Sequence, residues 1–340
     1  MNRDQLRYYF FYLSAIVIII GGLKMASQAA MIIFLSIFIA SVLAPFMDRL
    51  QKLKIPKFAA LLIVLLLIII LLFGVVYILN TSLKDFIGNL PFYEERLKNI
   101  TVDGLNWLNG FGLALEPKAV LESLNLGAVF NVTAATVGNI GVFVSKMILV
   151  IIGVAFLLVE AQNFGKKVDI IFKNDEVSKN NFELFAHNIQ KYFSIKTFTS
   201  LLTGFLITIT LLFFDVEYPF LWGFLGFLLN FIPVVGSIIA SIPALMLALI
   251  HHDVALLGWL ALVYLLINNF ISNILEPKIM GDGLGLSPAM IFFSLIFWGW
   301  VLGPVGMFLA VPLTMTLKIA FDSNPQTEWI GVLLSNLKMK

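Results

Sequence analysis

No charged residue stands between Tyr218 and Ile250, yet the same stretch holds Asn230, Pro233, Gly236 and Pro243. So apolar a segment belongs in lipid. A continuous helix over 219–250 would be about 48 Å long at 1.5 Å per residue, against a hydrocarbon core of about 30 Å. It must tilt severely or break. Proline removes a backbone donor and clashes with the preceding turn, and glycine permits unusual geometry beside it, so the sequence predicts a break.

The break recurs. "WGFLGFLLNFIPVVGSIIASIPAL" and "WGWVLGPVGMFLAVPLT" share an early Trp-Gly, a Pro and Gly two or three residues apart, and then Ala followed closely by a second Pro. Seven of the 12 prolines fall between Pro219 and Pro312. We read the runs 219–250 and 286–320 as a repeated pair of discontinuous or re-entrant elements. Non-helical backbone at membrane depth needs partners from protein, water or a ligand, so paired breaks point to a solute path. A Pro-kinked packing helix is the competing reading.

The remaining chain supports this class. It is 60% hydrophobic and 12% charged, with a mean hydropathy of +0.98, outside the range of soluble domains. Ordinary spans are expected near 8–24, 28–46, 58–79, 141–160, 197–214 and 254–275. The expected fold is an all-α polytopic membrane protein of six to eight transmembrane helices, including the two broken or re-entrant elements. The first span also resembles a signal peptide, but the second follows almost at once, which favours a helical hairpin.

Arg49, Lys52, Lys54 and Lys57 against a single Asp48 place the loop after the second span in the cytoplasm. The expected order follows. Three N-terminal spans occupy 1–80, an external soluble segment 81–140, a span 141–161 and a lysine-rich cytoplasmic amphipathic segment 162–196. The C-terminal transmembrane core covers 197–320 and a cytoplasmic tail 321–340. Phe185, Ile189 and Phe193 show helical spacing, which fits an amphipathic helix turning into the membrane or the start of one continuous helix. Pieces such as "FYEERLKNITVDGLNWLNG" suggest short amphipathic helices outside.

Polar groups within apolar surroundings are the candidates for chemistry. Asn269, Asn273 and Glu276 fall at i, i+4 and i+7 on a helix, with Ser272 alongside. This face suits hydrogen bonding to a solute or ion, or packing against a neighbouring helix. Pro277, Lys278, Gly281 and Asp282 combine a rigid turn with flexible backbone, as in a gate or hinge; a solvated connecting loop is the plainer reading. "HHD" at 251–253 lacks further ligands and points its side chains in different directions, so no metal is expected. Asp215 and Glu217 sit at a span end facing water.

Several classes drop out. There are no cysteines, no phosphate-binding GxxxxGK[ST] loop, no H-E-x-x-H or G-x-S-x-G motif, no arginine ladder and no TVGYG filter. No cofactor, enzyme activity or nucleic-acid partner is expected. A transporter, a channel or a non-transporting membrane scaffold remains.

At "NFIPVVGSIIASIPA", "NILEPKIMGDGLGLSP" and "FWGWVLGPVGMFLAVPLT" the sequence resembles the bacterial autoinducer-2 exporter family, and the likeness extends over nearly the whole chain. Where members often carry Arg after Glu-Pro, this chain has Lys278, which keeps the charge but loses the planar fork. The resemblance implies a homo-oligomeric inner-membrane exporter of small solutes such as autoinducer-2, with sodium/proton exchange as the alternative. The expected path runs along Asn230, Pro233, Gly236, Pro243, Asn269, Asn273, Glu276, Gly303, Pro304, Gly306 and Pro312.

Overall fold

The computed structural model describes residues 3–111, 140–173, 175–233, 235–251, 254–280, 285–323 and 325–335. Every regular element among them is helical. The N-terminal part comprises α1 (Arg3–Met25), α2 (Ser27–Lys52), α3 (Lys57–Asn109), α4 (Ile140–Ile171) and α5 (Glu176–Phe213). Then come α6 (Pro219–Leu229), α7 (Val235–His251), α8 (Val254–Asn269), a π-helical stretch (Phe270–Leu275) and α9 (Glu276–Met280). The chain finishes with α10 (Pro288–Leu302), α11 (Pro304–Phe308), α12 (Ala310–Asp322) and α13 (Glu328–Leu334).

Four of the described helices are long and apolar enough to cross a membrane, and the pair Lys146–Ala161 and Asn163–Ile171, bent by 62°, makes a fifth. Shorter apolar helices supply the rest, so the fold is the expected all-α polytopic membrane protein. Two elements differ from the sequence reading. In place of short amphipathic pieces after the third span, α3 runs unbroken for 53 residues through Pro91. Between the two readings of the 183–213 region, the structure takes the continuous one: α5 is a single helix of 38 residues. The 112–139 part of the segment expected outside lies beyond the described residues.

The chain divides into two compact units. One comprises Met1–Leu66, Ile148–Thr197 and Glu276–Lys340. Within it Phe38 of α2 meets Phe193 of α5 edge-on at 4.7 Å and Phe308 of α11 at 5.0 Å. Ser36 donates to the Val150 carbonyl at 3.2 Å, and a Cβ at Gly153 would collide with its hydroxyl, so α2 and α4 cross closely. The other unit comprises Leu67–Met147 and Phe198–Leu275. Its core joins Phe86 and Tyr93 of α3, Ile207 and Leu211 of α5, Trp222 of α6, Leu247 of α7 and Leu260 and Tyr264 of α8.

Both over-long runs fold back on themselves. In the first, α6 has only 11 residues, about 16 Å, and α7 has 17. The residues flanking the run meet: His251 Nε2 lies 3.4 Å from Glu217 Oε2. In the second, Trp298 of α10 donates its indole N–H to Thr314 Oγ1 of α12 at 3.0 Å, and Ser287 N–H donates to the Leu334 carbonyl at 3.0 Å. Each run is therefore broken and doubles back as a helical hairpin.

Candidate functional site

Each hairpin tip is built around a glycine that lets one arm close on the other's backbone. A Cβ at Gly236 would stand 1.8 Å from the Leu229 carbonyl oxygen, and one at Gly306 would stand 2.0 Å from that of Trp298. Gly303 adopts φ 71° and ψ −155°, a region open essentially to glycine alone, and Pro304 follows at the first position of α11, where no N–H is needed. The tips are better satisfied than the sequence argument supposed. Asn230, Ile232 and Gly236 donate their N–H groups to carbonyls three or four residues back, at 3.0, 2.8 and 3.2 Å.

Pro233 lies in the first break and Pro304 in the second, as expected. Pro243 and Pro312 do not: both are buried within helices, α7 and α12. Pro312 falls in the first turn of α12, where a missing donor costs nothing. Asn230 is 4% exposed at the C-terminus of α6, and its amide donates to Ser200 Oγ of α5 at 3.0 Å.

The expected Asn269, Asn273, Glu276 face divides. Asn273 Nδ2 donates to Asn269 Oδ1 at 2.8 Å, and Asn269 Nδ2 to the Leu265 carbonyl at 3.0 Å, with both side chains exposed on this chain. Between Asn269 and Glu276 the helix widens into its π-helical stretch, which changes the angular register that a regular helix projects. Glu276 engages Lys196 of α5 instead: Lys196 Nζ lies 3.1 Å from Oε1 and 3.0 Å from Oε2.

That ion pair is the least solvated one among the described residues, with the lysine side chain 5% and the glutamate side chain 16% exposed. Five residues earlier on α5, Lys191 Nζ donates to the Met280 carbonyl at 3.1 Å. Two lysines of one helix thus hold both ends of α9, the Glu276–Met280 segment that carries Pro277 and Lys278. Pro277 and Lys278 are exposed helical residues here, not a turn, while Gly281 and Asp282 lie outside the described residues. The sequence reading counted Lys191 and Lys196 only as cytoplasmic charge. Lys196 is 80 residues from Glu276, and the one cue to its burial was the apolar company of Tyr192, Phe193 and Ile195, all buried with it.

A second polar group closes the mouth of the first hairpin. Tyr93 of α3 donates to Glu217 Oε2 at 2.5 Å, its hydroxyl stands 3.1 Å from that of Tyr218, and the indole of Trp222 donates to the Glu217 carbonyl at 3.0 Å. His251 packs edge-on to the Tyr93 ring at 5.7 Å. A cleft of about 520 Å³ lined by Asp215, Glu217, Pro219 and His251 opens here.

Chemically, the unit containing Leu67–Met147 and Phe198–Leu275 sets amides and hydroxyls among apolar helices, and the other unit holds an internally neutralised charge pair. Such an arrangement can bind and pass a polar solute. A family model described as AI-2E family transporter matches residues 13–326. A putative transport protein of Haemophilus influenzae is 34% identical over 332 residues, covering 96% of this chain and 95% of that one. The AI-2 transport protein TqsA of Escherichia coli is 31% identical over 325 residues, covering 96% and 94%. More distantly, a sodium-lithium/proton antiporter of Halobacillus andaensis is 23% identical over 76% of each chain. With a family match over nearly its whole length and an apolar, multi-helix, twice-broken fold, the chain belongs to the AI-2E transporter family and is a multi-pass membrane transporter of small solutes.

Proposed function

We propose that the protein exports a small, neutral, hydroxylated solute of the autoinducer-2 kind across the cytoplasmic membrane. The observation that carries this reading is the compensation of Glu276 by Lys196. With its carboxylate bound on both oxygens by a buried ammonium, Glu276 leaves little uncompensated buried charge for an ionic solute to meet. The relationship to TqsA, named an AI-2 transport protein, supports the same solute class. In this reading both termini and the 162–196 segment lie in the cytoplasm and the 81–140 segment lies outside. Asn230 and Gly236 in the first hairpin tip, and Gly303 and Gly306 in the second, are each assigned to solute contact, Pro277, Lys278, Gly281 and Asp282 act as a gate or hinge, and the protein works as a homo-oligomer.

The test is export. Cells making the protein should accumulate external autoinducer-2 faster than cells carrying an empty vector, and proteoliposomes should release the loaded compound. Equal release with and without the protein would overturn the substrate assignment.

The antiporter relative favours a second reading, exchange of sodium for protons. Dissipation of an imposed pH gradient by added sodium, lost in Glu276→Gln, would support it over the first.

A further inference from the structure

Among the described residues, two buried polar atoms on α8 have no hydrogen-bond partner: the Tyr264 hydroxyl and Asn268 Oδ1. Tyr264 is 3% exposed and shares its cluster with Ala244, Leu247 and Ala248 of α7 and with Leu260 one turn earlier. Asn268 stands four residues on, so the two side chains share one helix face. The amide orientation is determined by chemistry. Asn268 Nδ2 lies 2.9 Å from the Tyr264 carbonyl, which can only accept, so the nitrogen must face it and Oδ1 must point elsewhere.

A phenol hydroxyl and an amide oxygen left unpaired in an apolar helical span are costly, because lipid offers them nothing. Something must pair them when the protein works. We propose that Tyr264 and Asn268 form a hydroxyl-recognition site, in which one alcohol group of the transported solute accepts from the Tyr264 O–H and donates to Asn268 Oδ1. The pair is selective by its polarity. An anion would satisfy the phenol but be repelled by Oδ1, and an ammonium would satisfy Oδ1 but leave the phenol O–H unpaired. A hydroxyl, being donor and acceptor at once, satisfies both. Tyr264 clusters with α7, the returning arm of the first hairpin, so solute held here would sense the arm's position. This inference rests on the transport reading and names the groups that would select the solute. It also moves recognition away from Asn269 and Asn273, whose amides bond to their own helix and to each other.

The experiment measures binding and flux separately in the purified full chain, using autoinducer-2, ribose and glycerol as probes. Wild type, Tyr264→Phe and Asn268→Leu are compared by thermal shift with each probe, and by release of the same probe from proteoliposomes. Tyr264→Phe keeps the ring and removes only the orphan hydroxyl, so its melting temperature without probe should be unchanged or higher. Affinity for the bound probe should fall about tenfold in each variant, the loss of one hydrogen bond. Unchanged affinity in both variants would overturn the site while leaving any observed export intact. Binding of ribose or glycerol but not autoinducer-2, lost in the variants, would uphold the site and overturn the substrate assignment. A wild type that binds none of the probes would overturn the site. A lower probe-free melting temperature in Tyr264→Phe, with probe affinity unchanged, would show that the hydroxyl pairs with a fixed structural water.

Discussion

Lys196 and Glu276 form a bidentate contact, with the ammonium 3.0 and 3.1 Å from the two carboxylate oxygens and 5% and 16% of the two side chains exposed. Removing water from two ions is expensive, and their attraction offsets that cost only while both are present. Lys196→Met or Glu276→Gln should therefore destabilise the protein by roughly 3 kcal/mol, whereas the double variant Lys196→Met/Glu276→Leu should recover most of the loss. Thermal unfolding in detergent reads this directly. Additive losses in the double variant would mean that each residue acts through other partners.

Lys191 acts on the same segment through a weaker contact, because it is exposed and binds a carbonyl rather than a carboxylate. Lys191→Ala should leave the melting temperature within a degree or two yet raise hydrogen exchange across Glu276–Met280 several-fold. Lys191→Arg should restore protection, since a guanidinium reaches the same carbonyl. Unchanged exchange in Lys191→Ala would remove the clamp from the mechanism.

Gly236 and Gly306 have no room for a methyl group, since each opposes a backbone carbonyl that cannot rotate away. Gly236→Ala and Gly306→Ala should each cost on the order of 3 kcal/mol and open the hairpin tips. Gly258 of α8 supplies the contrast: nothing lies within 4 Å of its Cβ position. Gly258→Ala should be neutral or stabilising by about 0.5–1 kcal/mol. Equal effects at all three positions would show that helix propensity, not close approach, governs these sites.

A hairpin that enters and leaves the membrane on one side makes a distinctive pattern of exposure. The natural chain has no cysteine, so single cysteines at Asp253 and Asp282 can be labelled from outside intact cells with an impermeant maleimide. The cysteine at 253 should react and the one at 282 should not. The reverse pattern would mean that each run crosses the membrane once as a long bent span.

The broken runs were legible because proline and glycine act locally, on the backbone that carries them. Pro233, Gly236, Pro304 and Gly306 mark their tips on any reading of the sequence. What they could not reveal was direction: whether the chain bends onward or doubles back depends on contacts such as Glu217 with His251 and Trp298 with Thr314. Pro243 and Pro312 were assigned to breaks because their helices accommodate them only through packing and a first-turn position that composition does not display. At the candidate site, a regular 3.6-residue projection joined Asn269 and Asn273 to Glu276, and the π-helical stretch between them undid it. Lys196 was hidden among five other lysines of a basic segment. Tyr264 was invisible for another reason: a tyrosine in an apolar span reads as core until its hydroxyl is found without a partner.

The shortness of α6 has a consequence for how the protein is made. An 11-residue apolar helix reaches only about half of the hydrocarbon core, so it cannot span lipid on its own. Its buried side chains, Leu221 and Trp222, cluster with Phe86 of α3 and Leu211 of α5, both of which the ribosome has already delivered. Biogenesis of the first hairpin is thus a docking event onto a finished scaffold rather than a translocation. A ribosome stalled shortly after residue 251 should hold this hairpin only when α3 and α5 are already seated in the bilayer.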